Sequence, residues 1–244
     1  MAERDLESHG FFLTPLLQPG FDVLDAGCGP ATITTGIAET VFPGRVMAMD
    51  ASPAQLEWGR RLAQGREIMN LDFVSASACE MPFADHSFDV VFAHALLENI
   101  SAPERAMAEF HRVTRPGGFI ALGSPDWDAF EISPMPKKVG QAIRAYRDLQ
   151  ERRGGDTRAG SHLHDWLSRA GFTPLSADTW TEEHHDVSLI AGHLAAQLEC
   201  AGQFHHALSM REWAMDPEAR FCQSCKFATG VRADAAKLHR RGVE

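Results

Sequence analysis

A chain of 244 residues, 44% apolar and 23% charged, is sized for one domain with a sizeable core and excludes a disordered or fibrous protein. A formal net charge of −10 and a sequence pI near 5.6 oppose binding to nucleic acid or to an anionic membrane surface. No charged-then-apolar leader follows Met1, and no apolar run approaches the roughly 20 residues that cross a bilayer, so a cytoplasmic protein is expected.

Residues 1–20 combine polar stretches with Phe11, Phe12 and Leu13 before Pro19-Gly20, and predict an amphipathic helix leading into the first strand. Strands and helices then alternate: strand 23–25, helix 32–41, strand 45–50, and a helix from Pro53 to about residue 66. Ser52 is its expected N-cap, and Pro53 takes the favoured first helical position. Residues 69–75 predict a third strand, and 88–92, apolar apart from Asp89 as a buried parallel strand should be, a fourth. A helix over 103–114, a Pro116-Gly117-Gly118 turn and a strand over 119–123 follow. Beyond this point the pattern loosens. Residues 125–136 predict a loop, 137–153 and 161–170 helices, 172–181 a strand, 184–225 mostly helix, and 227–231 a final strand.

Parallel strands need crossover helices, so the alternation implies a doubly wound α/β sheet. Ligands of such sheets bind beyond the carboxyl ends of the strands. Asp25, Asp50, Ser77 and His94 all end or follow predicted strands. The five cysteines suit a reducing compartment. Cys222-x-x-Cys225, near Cys200, His205 and His206, has the spacing of half a zinc site, but a single such pair is poor grounds for a metal, and helix-packing thiols are expected instead.

The stretch VLDAGCGPA, residues 23–31, feeds a hydrophobic strand into a glycine turn that opens a helix, which lets a ligand approach the backbone and the helix N-terminus. On its own this G-x-G pattern marks any dinucleotide loop. Followed by MAMDASPAQLE, SACEMPFADHSFDVVFAHALLENI and EFHRVTRPGGFIAL, it resembles the class I S-adenosylmethionine-dependent methyltransferases, most closely the small-molecule group related to the ubiquinone and menaquinone methyltransferases. The resemblance covers residues 13–181. It implies a Rossmann-like, doubly wound, mostly parallel seven-stranded sheet with helical lid and cap insertions in one domain, 1–244: a lid helix at 1–20, a cofactor-binding core at 21–125 and cap segments at 126–160 and 184–225.

The resemblance also assigns roles. S-adenosyl-L-methionine is the implied cofactor and S-adenosyl-L-homocysteine its product. Gly27 and Gly29 would let the backbone meet the methionine portion, with Cys28 contributing backbone. Asp25 would lie near the cofactor's amino group. Asp50 would accept from both ribose hydroxyls, since a carboxylate has two oxygens, and Ala51 would meet the adenine. Ser77, with Ala78 and Cys79, stands where relatives usually carry an Asp for the adenine amino group. Ala31 replaces their third glycine. His94 would line the methyl end and is the first candidate base, with His9 and His185 as further candidates. Arg115-Pro116-Gly117-Gly118 reads as a structural turn.

HALL replaces the N/D-P-P-Y/F signature of nucleic-acid and protein amide methyltransferases, which with the acidic charge points to a small-molecule acceptor. Phe11, Phe12, Trp127, Phe130 and Trp180 are core by default, with a subset available to line an apolar pocket. Two other readings share these residues: a nicotinamide-dependent oxidoreductase, and a cofactor-binding homologue that cyclises a substrate or binds a partner without methyl transfer.

Overall fold

The computed structural model describes residues 4–184 and 186–234. Among these residues seven strands form one sheet: β1 Val23–Ala26, β2 Val46–Asp50, β3 Leu71–Ser75, β4 Phe88–His94, β5 Thr114–Ser133, β6 Phe172–His184 and β7 Arg220–Arg232. Their spatial order is β3-β2-β1-β4-β5-β7-β6. β1 to β5 pair in parallel, while β7 lies antiparallel between β5 and β6. Among the described residues, the seven α-helices are α1 Thr32–Val41, α2 Pro53–Gly65, α3 Pro103–Val113, α4 Lys137–Arg152, α5 Ala159–Arg169, α6 Val187–Cys200 and α7 Phe204–Trp213.

Alternation along each central strand feeds two cores. Leu24, Ala26, Val91, Ala93, Ile120 and Leu122 meet α3 and α5 on one face. Val23, Val46, Val90, Phe92 and Ala121 meet α1 and the N-terminal segment on the other. Because both faces are covered, β1 is buried at every position and β4 at six of seven, which is why these strands read as apolar runs interrupted only by Asp25, Asp89 and His94. In α3 the buried positions Ala106, Met107, Phe110 and Val113 repeat at helical spacing and form the stripe that seats it. The switch in strand order falls between β1 and β4, where the doubly wound sheet opens its ligand crevice.

Three expectations are corrected. The N-terminal segment is a series of turns with one 3-10 turn at Thr14–Leu16, not a helix. Its apolar residues still pack: Leu6, Phe12, Leu13 and Leu17 are all buried in the core beside α1. Gly10 permits this, because a Cβ there would stand 2.8 Å from the Leu6 side chain.

The 125–136 segment is not a loop. β5 continues to Ser133, paired with β7 through an irregularity between Asp126 and Phe130. Pro125 is tolerated because β4 ends its pairing at Gly123, so β5 has a neighbour on one side only beyond that point.

Nor is 184–225 mostly helical to its end, since β7 starts at Arg220. Cys222 and Cys225 therefore sit on a strand, three residues apart and on opposite faces, which serves neither helix packing nor a shared ion. The extended β5 and β7 make the floor of a third cluster, in which Trp127 and Phe221 pack against Val139, Ile143 and Tyr146 of α4, Leu194 and Leu198 of α6, and Met210 and Trp213 of α7. By contrast, α5 belongs to the main sheet.

Candidate functional site

The glycine turn leaves β1 with Gly27 at φ 76° and Gly29 at φ 53°, conformations that favour glycine. Gly27 and Cys28 donate their N–H groups to the Met49 carbonyl at 2.7 and 3.0 Å, tying the turn to β2. The two glycines differ in surroundings. A Cβ on Gly27 would lie 2.8 Å from Leu96, whereas one on Gly29 would meet nothing within 4 Å. Gly29 thus presents bare backbone to open space. Ala31, where relatives have glycine, also adopts a left-handed conformation (φ 59°) as the residue before α1.

Asp25 is buried at 3% exposure, and Thr34 of α1 donates to its Oδ2 at 2.6 Å. Burial, with the Asp50 charge adding to it, pushes the Asp25 carboxyl up to about 7, against the pull of the Thr34 bond. Burial raises the Cys28 thiol as well, reinforced by Asp25 and Asp50, so Cys28 has no nucleophilic character. Asp50 stands at the tip of β2. Its Oδ2 accepts from Gly29 N at 2.9 Å and its Oδ1 from Ser52 N at 2.8 Å. Ser52 makes no side-chain capping bond, so the carboxylate of Asp50, not the expected hydroxyl, tethers the start of α2. Spare lone pairs on both oxygens remain for further donors. Ala51 is exposed beside it.

Past β3, Ser77 and Glu80 form an isolated bridge, and Ser77 Oγ accepts from Cys79 N at 3.2 Å. Ser77 is exposed, Ala78 is buried, and the Cys79 thiol reaches the Ala102 carbonyl at 3.6 Å.

His94 closes β4 at 9% exposure. Around it stand His9 (ring centroids 5.9 Å), Trp180 of β6 (6.2 Å) and Phe92 (6.3 Å). His9, held by Ser8 Oγ at 2.8 Å from Nδ1, also meets Trp180 edge-on at 5.5 Å. Phe11 and Phe12 continue the cluster onto Trp180 and Phe227. Trp127 and Phe130 pack elsewhere, in the helical layer over the sheet extension. The structure thus brings together two of the three histidines singled out from sequence. His185 lies outside the described residues. Arg115 sits at the opposite end of the sheet, paired with Asp22 at 2.9 Å and Asp89 at 2.5 Å, which fits a structural turn.

Sequence reasoning missed Glu98. It follows β4 on the short turn Leu97–Asn99, is 8% exposed, and accepts from Ser124 Oγ at 2.6 Å. Burial raises its carboxyl to about 7, while the Ser124 bond and the charge of Arg4 draw it back. A lone acid inside the run HALLENI was the available signal. Thr34 gave no such signal, since a hydroxyl on a helix reads as ordinary.

These features make one site at the carboxyl ends of β1, β2 and β4: a bare glycine turn, an acid buried behind it, an acid at the next strand tip, and an aromatic and imidazole wall. They form a candidate site for an adenosyl cofactor in a Rossmann-like fold. Residues 24–122 match the methyltransferase domain family. A demethylmenaquinone methyltransferase of Geobacillus stearothermophilus is 37% identical over 179 residues, covering 68% of this chain and 76% of the relative. An uncharacterised protein in transposon Tn4556 of Streptomyces fradiae is 34% identical over 126 residues, 51% of this chain, and the chain spans only 36% of its length. A SAM-dependent methyltransferase from Aquifex aeolicus shares the fold, with TM-score 0.59 at 15% identity over 93% of this chain and 91% of that one. The chain belongs to the class I S-adenosylmethionine-dependent methyltransferases.

The residues present fit that cofactor. Gly29 faces space that a side chain would otherwise fill, and the strand-tip and buried carboxylates are acceptors suited to hydroxyl and ammonium donors.

Proposed function

We propose that this protein methylates a small molecule at an oxygen, carbon or nitrogen nucleophile. The observation that carries the reading is the wall at the end of β4, where the N-terminal segment, β4 and β6 converge through His9, His94 and Trp180. A methyl-transfer end enclosed by one chain's own aromatics suits a compact acceptor better than a polymer.

The cofactor, when bound, supplies an electrophilic methyl group on a sulfonium, already a good leaving group. The chain's own residues then orient and exclude water. Gly27, Cys28 and Gly29 lie against the methionine portion, with Asp25 near its ammonium. Asp50 takes the ribose hydroxyls on the lone pairs its backbone partners leave, and Ala51, Ser77, Ala78 and Cys79 border the adenine. His94 faces both cofactor and acceptor, and with His9 it is the candidate for holding the acceptor's proton; His185 completes the set named from sequence. The N-terminal segment acts as lid and the α4, α6 and α7 layer as cap of a single domain.

Membership in the methyltransferase family favours neither the nicotinamide reading nor a homologue without transfer. No helix among the described residues is long and apolar enough to cross a membrane, and the acidic charge argues against nucleic acid; a cytoplasmic enzyme is the consistent proposal.

The test is a panel of quinols, phenols, catechols and amines incubated with S-adenosylmethionine and scanned for a mass gain of one methyl group. Quinols head the panel because the Geobacillus relative is named for demethylmenaquinone. Methylation of a panel member with release of S-adenosylhomocysteine is the expected result. Cofactor binding with no product from any member would count against transfer.

A further inference from the structure

Strand β7 carries a row of side chains on the face turned away from α5. Phe227, Cys225, Gln223 and Phe221 alternate along that face, while Lys226 on the other face pairs with Asp126 and donates to Ser161 of α5. At one end of the row Phe227 stacks on Phe12 at 4.8 Å and meets Phe11 at 5.4 Å. Cys225 comes next and is the register partner of Trp180, whose ring meets His9 and His94. At the far end, beneath the cap, Phe221 meets Trp127 and Phe130 at 6.2 Å and His184 at 5.3 Å. Gln223 lies between these ends. It stands opposite Phe130 on β5 and diagonal to Trp180 on β6, a spacing that aromatic and long side chains bridge. An amide thus sits at the seam where the histidine and aromatic wall gives way to the cap.

That amide is unmatched. Gln223 is 4% exposed, and its Nε2 is buried with no hydrogen-bond partner among the described residues. A buried donor without a partner costs stability, so native folds rarely keep one. Thr229 of the same strand shows the usual arrangement, since it is buried and its hydroxyl bonds Ser176 at 2.7 Å. At Gln223 an apolar side chain of equal length would serve the fold better.

We propose that Gln223 binds the methyl acceptor, its Nε2 donating a hydrogen bond to an oxygen carried on a ring that lies among Trp180, Phe130 and Phe221. The assignment rests on the transferase reading above and narrows its acceptor to a ring compound bearing a hydroxyl or carbonyl oxygen. The aromatic side chains supply apolar faces for the ring, and the amide fixes its rotation. An alkylammonium has no lone pair to offer Nε2 and gains nothing there. Gln223 exchanges no proton and makes no bond to the methyl group. It holds the acceptor while the acceptor's nucleophile meets the methyl at the His94 end.

The experiment uses the full chain and two variants. Gln223→Met removes the amide at nearly constant length, and Ser224→Ala, on the face toward α5, is the control. In urea unfolding of ligand-free protein the Gln223→Met midpoint should equal or exceed that of wild type, because an unmatched buried donor has gone. An amide that served the fold would lower it. Both variants should bind S-adenosylmethionine within about twofold of wild type, since Gln223 acts on the acceptor alone. With a quinol, phenol or catechol methylated in the panel, Gln223→Met should raise KM by about 3–10-fold at nearly constant kcat, the loss of one uncharged hydrogen bond. Ser224→Ala should leave both constants as they are.

The failures are distinguishable. A wild type that binds the cofactor but methylates no panel member overturns the transferase reading and this role with it. A wild type that methylates only alkylamines keeps the transferase reading and overturns this role. An unchanged KM in Gln223→Met, a lowered urea midpoint in that variant, or an equal rise of KM in Ser224→Ala overturns this role alone as well.

Discussion

Asp25 shows how a single burial shapes ligand binding. Removal from water lifts its carboxyl to about 7, so in the free protein it is neutral below that pH and ionised above it. If it faces the cofactor's ammonium, binding favours the ionised form. The affinity for S-adenosylmethionine should then weaken by about tenfold per pH unit below 7 and level off above. Calorimetric titrations from pH 5.5 to 8.5 check this, and Asp25→Asn should give a flat profile with weaker binding at pH 8. A wild type whose affinity ignores pH would separate Asp25 from the ammonium. The strand-tip acids were legible in the sequence because they end apolar runs. The burial of Glu98 was not, because its partner Ser124 is distant in sequence and meets it only once β5 lies beside β4.

The glycine turn makes a sharper prediction at the scale of the element. Gly27 and Gly29 both have positive φ, so alanine at either strains the backbone by about 1 kcal/mol. At Gly27 the added methyl also strikes Leu96. At Gly29 it meets only open space. Gly29→Ala should therefore melt close to wild type yet bind S-adenosylmethionine at least tenfold more weakly, while Gly27→Ala should lose markedly more stability. Thermal melts paired with cofactor titration separate the two, and full affinity in a folded Gly29→Ala protein would remove the cofactor from that turn. The N-terminal segment tests differently. Leu13 is fully buried, so Leu13→Ala should cost about 2–5 kcal/mol in denaturant unfolding, although the segment is not a helix. Its burial was legible from Phe12 and Leu13, but its conformation was not, since turns broken by Gly10 and Pro15 share the composition of a short amphipathic helix.

Across the whole molecule, the parallel half of the sheet was readable and the antiparallel half only in part. β1 and β4 read as apolar because both of their faces are covered, a local signal. The extensions of β5 and β7 are visible only as a pair. Pro125 and Gln223 break each strand's own pattern, and the ladder between them restores it.

The two buried acids predict how the fold responds to pH. Asp25 and Glu98 both hold protons more tightly when folded, to about 7 against ordinary values near 4. Their stabilising share is complete below the unfolded values and is lost as pH rises through about 7. Each contributes a fall of about 1.4 kcal/mol per pH unit between its two values. The ligand-free protein should thus unfold at higher urea at pH 5 than at pH 8, and D25N and E98Q should each flatten that difference. Equal midpoints in wild type would contradict the burial of both acids.

The central claim is that the turn after β1 and the acid closing β2 form one S-adenosylmethionine site. Asp50 tests it most directly, because its carboxylate joins Gly29 to the start of α2. Titrating S-adenosylmethionine into Asp50→Ala should show affinity lowered by about 10–100-fold, the worth of hydrogen bonds to a charged group. A folded Asp50→Ala protein with wild-type affinity would contradict the account.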